Sequence, residues 1–179
     1  VRIKVLTGPA VETANLWVDY VYLDTDERRK MAQSSHEYLI TQLQHQDISG
    51  GTATGIDQRL NFNHPCKELV FQTSDSATNP DNVKLTLNGH ERAAPRPFKY
   101  FNTVQPYQHH TRIPTESSGI GVYSFALKPE ESQPSGSCNF SRIDNAQLKI
   151  DRAASGHIWA TNWNVLRIMS GMGGLAYSN

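Results

Sequence analysis

Hydrophobic and polar positions alternate with a period of two along most of this chain. Residues 1–6, VRIKVL, set Val1, Ile3 and Val5 against Arg2 and Lys4, the pattern of a strand with one buried face. Gly8-Pro9 ends it. LWVDYVYL (16–23) predicts a second strand, because its aromatic and β-branched residues suit a pleated surface. The period then lengthens. Asp24 stands where a helix needs an amide acceptor and Glu27 follows three residues on, as in a capping box. Met31, Tyr38, Leu39 and Leu43 fall roughly on one helical face, which predicts the single substantial helix over about residues 25–40.

Beyond Gly50-Gly51 the strand period returns. ELVFQ (68–72), GVYSFALKP (121–129), AQLKI (146–150), IWATNWNVLRIM (158–169) and the closing GGLAYS each read as strands. VKLTLNGH (83–90) alternates Val83, Leu85 and Leu87 with Lys84 and Thr86, and Asn88-Gly89 predicts a tight hairpin turn. Residues 91–119 carry four prolines and no clean period, so they read as a long excursion with a short helix near Phe98 to Phe101. Several strands, turn punctuation and one helix predict an all-β protein, an antiparallel sandwich or barrel.

Composition narrows the function classes. At 179 residues the chain holds one sizeable domain and room for a fragment of another. Seventeen basic against 17 acidic residues give a formal charge of zero, which disfavours nucleic acid or an anionic membrane as a direct partner. No apolar run approaches the roughly 20 residues of a transmembrane helix. Two cysteines, Cys66 and Cys138, are too few for a disulfide scaffold and read as reduced, partly buried thiols. The chain starts at Val1 directly in strand-like alternation, as a piece of something longer does.

Candidate chemistry is sparse. His109-His110, with His64 elsewhere, offers metal-ligand atoms, but adjacent strand residues point to opposite faces, so the surface-loop reading is preferred and no metal or cofactor is expected. Ser34-Ser35 and Ser117-Ser118 lack a nucleophile elbow. Cys66 follows His64 across a proline, a poor catalytic arrangement, and Glu130-Glu131 diverge if extended. The C-terminal glycines lack the lysine and helix of a phosphate loop. Trp159, Trp163 and Tyr107 suggest a sugar platform, the basis of an alternative reading as a carbohydrate-binding β-sandwich; tryptophans on strands are more often core. A cupin-like metalloenzyme is the other alternative. Asn139-Phe140-Ser141 is a glycosylation sequon in form and makes Asn139 a candidate modification site. Arg142 and Asp144, two apart on the predicted strand entered there, share a face and suit an ion pair.

Four stretches together carry a resemblance. GVYSFALKPEESQPSGSCNFSRIDNAQL (121–148) resembles the second jelly roll of the major capsid protein of nucleocytoplasmic large DNA viruses, above all the phycodnavirus and iridovirus branch. TNWNVLRIMSGMGGLAYSN (161–179) resembles that family's C-terminus. LWVDYVYLDTDERRKMAQSSHEYLI (16–40) is similar to its last first-roll strand and linker helix, and FNHPCKELVF (62–71) to early second-roll strands.

The resemblance implies a jelly-roll β-sandwich, the second roll of a double jelly roll, with one linker helix. It divides the chain into the truncated tail of a first roll (1–24), a linker helix (25–44) and the C-terminal roll (45–179). It also implies a non-enzymatic subunit of trimeric, nearly hexagonal capsomers tiling an icosahedral shell. Its partners would be copies of itself, neighbouring capsomers and minor capsid proteins, with assembly in the host cytoplasm and residence in the virion. Arg28 and Arg29 of the helix, with His109 and His110 of the excursion, are the expected subunit contacts. The isolated 1–23 segment is expected to expose apolar strand faces.

Overall fold

The computed structural model describes residues 15–48, 55–73, 80–115, 118–152 and 155–177. The predicted strand 1–6 lies outside them. The chain runs α1 (Thr25–Gln33), β1 (His36–Ile48), β2 (Ile56–Arg59), β3 (Pro65–Thr73), β4 (Asn82–Leu87) and β5 (His90–Pro97). A π-type turn (Tyr100–Val104) and α2 (Gln105–His109) follow, then β6 (Ile120–Ser124), β7 (Cys138–Asn139), a 3-10 turn (Phe140–Arg142), β8 (Ala146–Ile150), β9 (Gly156–Met169) and β10 (Met172–Leu175).

The strands form two antiparallel sheets. One has the order β1-β9-β3-β6, with β7 on β3 and β10 on β9; the other has the order β2-β8-β4-β5. Each four-strand order interleaves early and late strands, the wrapping of a jelly roll, in which two Greek keys close a double-sheet sandwich. The core lies between the sheets and includes Leu69 and Phe71 from β3, Val83 and Leu85 from β4, Leu148 and Ile150 from β8, and Ile158 and Ala160 from β9. These are the alternate residues of the predicted strands, so the period-two reading assigned the correct face. Phe71 meets Phe101 at 5.9 Å and Phe98 at 6.2 Å between ring centroids, both edge-on. At the Asn88-Gly89 turn both residues take positive φ, 50° and 80°, the conformation that joins β4 to β5 in a two-residue hairpin.

Four sequence expectations are corrected. The helix ends at Gln33, and residues 36–44, expected to continue it, belong to the 13-residue β1. Asp24 does cap it, accepting from the Thr25 amide at 2.7 Å. Its helical stripe misled because β1 has a polar inner face: Gln42, Gln44 and Gln46 alternate inward, where an amphipathic strand would place aliphatics. Gln44 donates to the Asn63 carbonyl (2.7 Å) and accepts from the Asn63 amide (3.0 Å). Gln46 donates to the Arg59 carbonyl (2.6 Å) and accepts from the Asn61 amide (3.0 Å). Side-chain amides thus do for the 59–63 segment what a neighbouring strand would do.

The second correction concerns 16–23, which has no regular secondary structure and joins no sheet among the described residues. The third is GVYSFALKP, which leaves the sheet after Ser124. There the regular ladder breaks, with the Phe125 and Ala126 amides both donating to the one Lys67 carbonyl. The fourth is residues 91–97, expected to open the excursion, which form β5 and pair with β4.

Candidate assembly interface

Among the described residues, exposed large apolar side chains crowd most densely along the arm at residues 16–23. Trp17 is 91% exposed, Val21 84% and Tyr22 92%, with Leu16, Val18 and Tyr20 also open. Helix α1 continues it and buries no residue, although Met31 is half exposed. Burying a side chain of this size is worth roughly 1.5–3 kcal/mol, so a contiguous row left in water marks a surface built to be covered. Arg28 and Arg29 lie on the exposed helix, and Arg29 pairs with Asp26 one turn away at 3.3 Å.

The excursion after β5 is not a free loop. Phe101 and Asn102 are fully buried. The Asn102 amide donates to the Ile120 carbonyl at 2.9 Å, and Gln105 accepts from the Ser124 amide at 3.0 Å, so both polar side chains tie the excursion to β6. His109 and His110, expected to face a neighbour, are engaged within the chain. His109 Nδ1 lies 2.9 Å from the Leu127 carbonyl. His110 stands between two carboxylates, 3.1 Å from Glu68 on β3 and 3.2 Å from Glu130. The Glu68 contact is a charge pair without the alignment of a well-directed hydrogen bond. The neighbouring Glu68 carboxylate, more than the opposing burial, holds the His110 imidazolium to higher pH than an ordinary histidine. Glu130 shifts the other way, chiefly because its carboxylate accepts from the Thr111 amide.

The remaining candidates are scattered. Cys66 and Cys138 are register partners on β3 and β7, both free. Burial pushes both thiols up, Cys66 far up, so neither is poised as a nucleophile. His64 is buried beside the ring of Tyr177. Asn139 is exposed and caps the 3-10 turn, accepting from the Ser141 amide at 3.1 Å. The Ser141 hydroxyl accepts from the His64 amide at 2.8 Å. Arg142 lies in that turn, so it shares no strand face with Asp144. The tryptophans split. Trp163, 8% exposed, is capped by the Lys67 ammonium 4.5 Å from its ring, whereas Trp159 is half-buried beside His45 and His157. Tyr107 is exposed on α2. Sequence reasoning missed the grouping of His45, Asp47 and His157, whose signal lies in a β1–β9 register spanning 110 residues. Among the described residues no helix is long and apolar enough to cross a membrane.

Comparison with known proteins gives a consistent family. The model for the large eukaryotic DNA virus major capsid protein matches residues 27–81 and 75–174. The major capsid protein of Pyramimonas orientalis virus is 50% identical over 97% of this chain and 51% of its own length. That of Paramecium bursaria Chlorella virus 1 is 38% identical over 97% of the chain and 56% of its own. Among solved structures, PBCV-1 VP54, fitted into a reconstruction of the virophage Sputnik, superposes with a TM-score of 0.79 at 35% identity, over 89% of this chain and 56% of that one. The Faustovirus major capsid protein, at 10% identity and a TM-score of 0.61 over 80% of this chain and 36% of that one, shares the fold. The chain spans about half the length of the curated relatives it matches. On the family match, the identities and the jelly-roll topology together, this chain belongs to the major capsid proteins of large eukaryotic DNA viruses.

Proposed function

We propose that this chain is the C-terminal jelly roll of a double-roll capsid subunit. Three copies of that subunit form a pseudo-hexagonal capsomer of an icosahedral virion shell. In this reading residues 1–24 belong to a first roll, α1 links the rolls, and the second roll runs from β1 at His36, ahead of the expected boundary at 45, to residue 179. The partners are other copies, neighbouring capsomers and minor capsid proteins. Assembly takes place in the host cytoplasm, and the subunit performs no bond-making chemistry.

The observation that carries the reading is the arm. A row of large apolar side chains at 16–23 stands uncovered immediately before a fully exposed helix, while the roll that follows has a closed core of its own. A polar helix without a buried face suits a bridge between two packed bodies. Arg28 and Arg29, with His109 and His110, are the subunit contacts of this reading, and the two histidines also hold the excursion whose outer residues, Val104, Tyr107 and Ile113, are exposed. The carbohydrate-binding alternative is disfavoured because Lys67 already covers the Trp163 face.

The test is the mass of the protein expressed from its complete coding sequence. Light scattering after size exclusion should give three subunits per particle, and electron microscopy should show a hexagonal outline. A stable monomer at micromolar concentration would overturn the reading.

A further inference from the structure

We infer that His45, Asp47 and His157 form a binding site for a divalent transition ion of the zinc class on the outer face of the β1–β9 ladder. His45 and Asp47 are two apart on β1 and so project from one face. His157 on β9 is the register partner of Asp47, which brings the third side chain alongside.

The donor atoms converge closely. His45 Nε2 lies 3.1 Å from His157 Nδ1, His157 Nδ1 lies 2.8 Å from Asp47 Oδ1, and His45 Nε2 lies 3.3 Å from the same oxygen. Zinc–ligand bonds of 2.0–2.1 Å in a tetrahedron set neighbouring ligand atoms about 3.3 Å apart. The three atoms therefore trace a slightly contracted face of such a tetrahedron. Two imidazole nitrogens meeting at 3.1 Å cannot both direct a proton at one carboxylate oxygen without opposing each other. A cation above the triangle satisfies all three lone pairs at once.

The chemistry of the set selects the ion. Two imidazoles and one carboxylate suit zinc and its neighbours, whereas calcium and magnesium prefer all-oxygen shells. Three protein ligands leave a fourth position, which solvent fills because all three residues are exposed. The Trp159 ring packs against both imidazoles, 5.7 Å from His45 and 5.5 Å from His157 between centroids, and limits their rotation. It also supplies a reporter within reach of the ion. The site is independent of the assembly reading.

The test is zinc titration of the purified, tag-free 179-residue chain, followed by calorimetry and tryptophan fluorescence. One equivalent should bind, with affinity at least tenfold weaker in His45→Ala and in His157→Ala, weaker again than wild type in Asp47→Asn, and unchanged in His90→Ala. Calcium and magnesium at equal concentration should not displace it. Carbethoxylation of the unmutated chain needs no variant: zinc should protect His45 and His157 from modification while His90 still reacts. Absence of saturable binding, equal affinity in the His45→Ala/His157→Ala double variant, displacement by calcium, or labelling unchanged by zinc would each overturn the inference.

Discussion

His110 reaches across from the end of α2 to Glu68 in the middle of β3, and its Nε2 lies 3.1 Å from the carboxylate. Glu68 also accepts from Thr161 of β9 at 3.2 Å, and Glu130 approaches the opposite nitrogen of His110. One imidazole thus couples the excursion, the sheet and the loop after β6. If it loses its proton, two carboxylates face a neutral ring.

This arrangement predicts a pH dependence of stability. The His110 pKa is raised above the ordinary 6.5 in the fold, so its contribution is complete below 6.5 and is lost as pH rises through the raised value. The Glu130 pKa is lowered below 4.5, so its contribution is complete above 4.5 and is lost as pH falls through the lowered value. The clamp is therefore strongest between about pH 4.5 and 6.5. Urea unfolding should show His110→Gln less stable than wild type by about 1–2 kcal/mol near pH 5.5. The gap should shrink by pH 9. A gap that widens with pH would contradict the assignment.

Gly121 on β6 faces the buried ring of Phe71. A methyl group added there would lie 2.4 Å from two ring carbons, and Phe71 is fully enclosed by the core. Gly121→Ala should lower stability by about 1–3 kcal/mol through overpacking. Gly121→Ala with Phe71→Leu should recover part of that loss in a double-mutant cycle.

The glutamine ladder of β1 makes a different kind of prediction. Gln44→Ala removes these side-chain partners of both Asn63 backbone groups, and Gln46→Ala removes that of the Asn61 amide and one of the two donors to the Arg59 carbonyl, which keeps Gln58. Each should cost about 1–2 kcal/mol. Gln44→Leu, which keeps bulk but leaves the same backbone groups unmet, should be no better than alanine. Amide exchange at Asn61 and Asn63 should accelerate in the corresponding variants.

The arm at 16–23 should govern self-association of the isolated chain. Trp17→Ser with Tyr22→Ser should lower its tendency to aggregate, measured by light scattering against concentration, while leaving the thermal midpoint within about 2 °C, because neither side chain packs on the roll. A large loss of stability would mean that the arm is part of the folded core.

Much of the architecture was legible because burial in a sandwich imposes a period of two. β3, β4, β8 and β9 each carry that period, and the Asn88-Gly89 turn follows from the positive-φ conformation that Asn-Gly adopts readily between two strands. β5 carries no such period, because only Ala93 of its eight residues is buried, and its residues 91–97 therefore read as part of the excursion. The reading failed at β1, where backbone groups of the 59–63 segment, rather than an apolar layer, meet the inner face. Glutamines there gave no hydrophobic signal, and the local helical stripe prevailed. It failed again at 16–23, whose strand-like composition has no described strand beside it.

The amino-acid order alone determined β3, β4, β8 and β9 with their inward faces, and the cap at Asp24, since each depends on neighbours within a few residues. The tertiary structure decided which distant groups meet. It set His109 against Leu127 and His110 between Glu68 and Glu130, and brought His157 to His45 and Asp47. Those contacts depend on strand register and on how the sheets wrap, and register is set by the summed packing of the whole sandwich rather than by any local stretch.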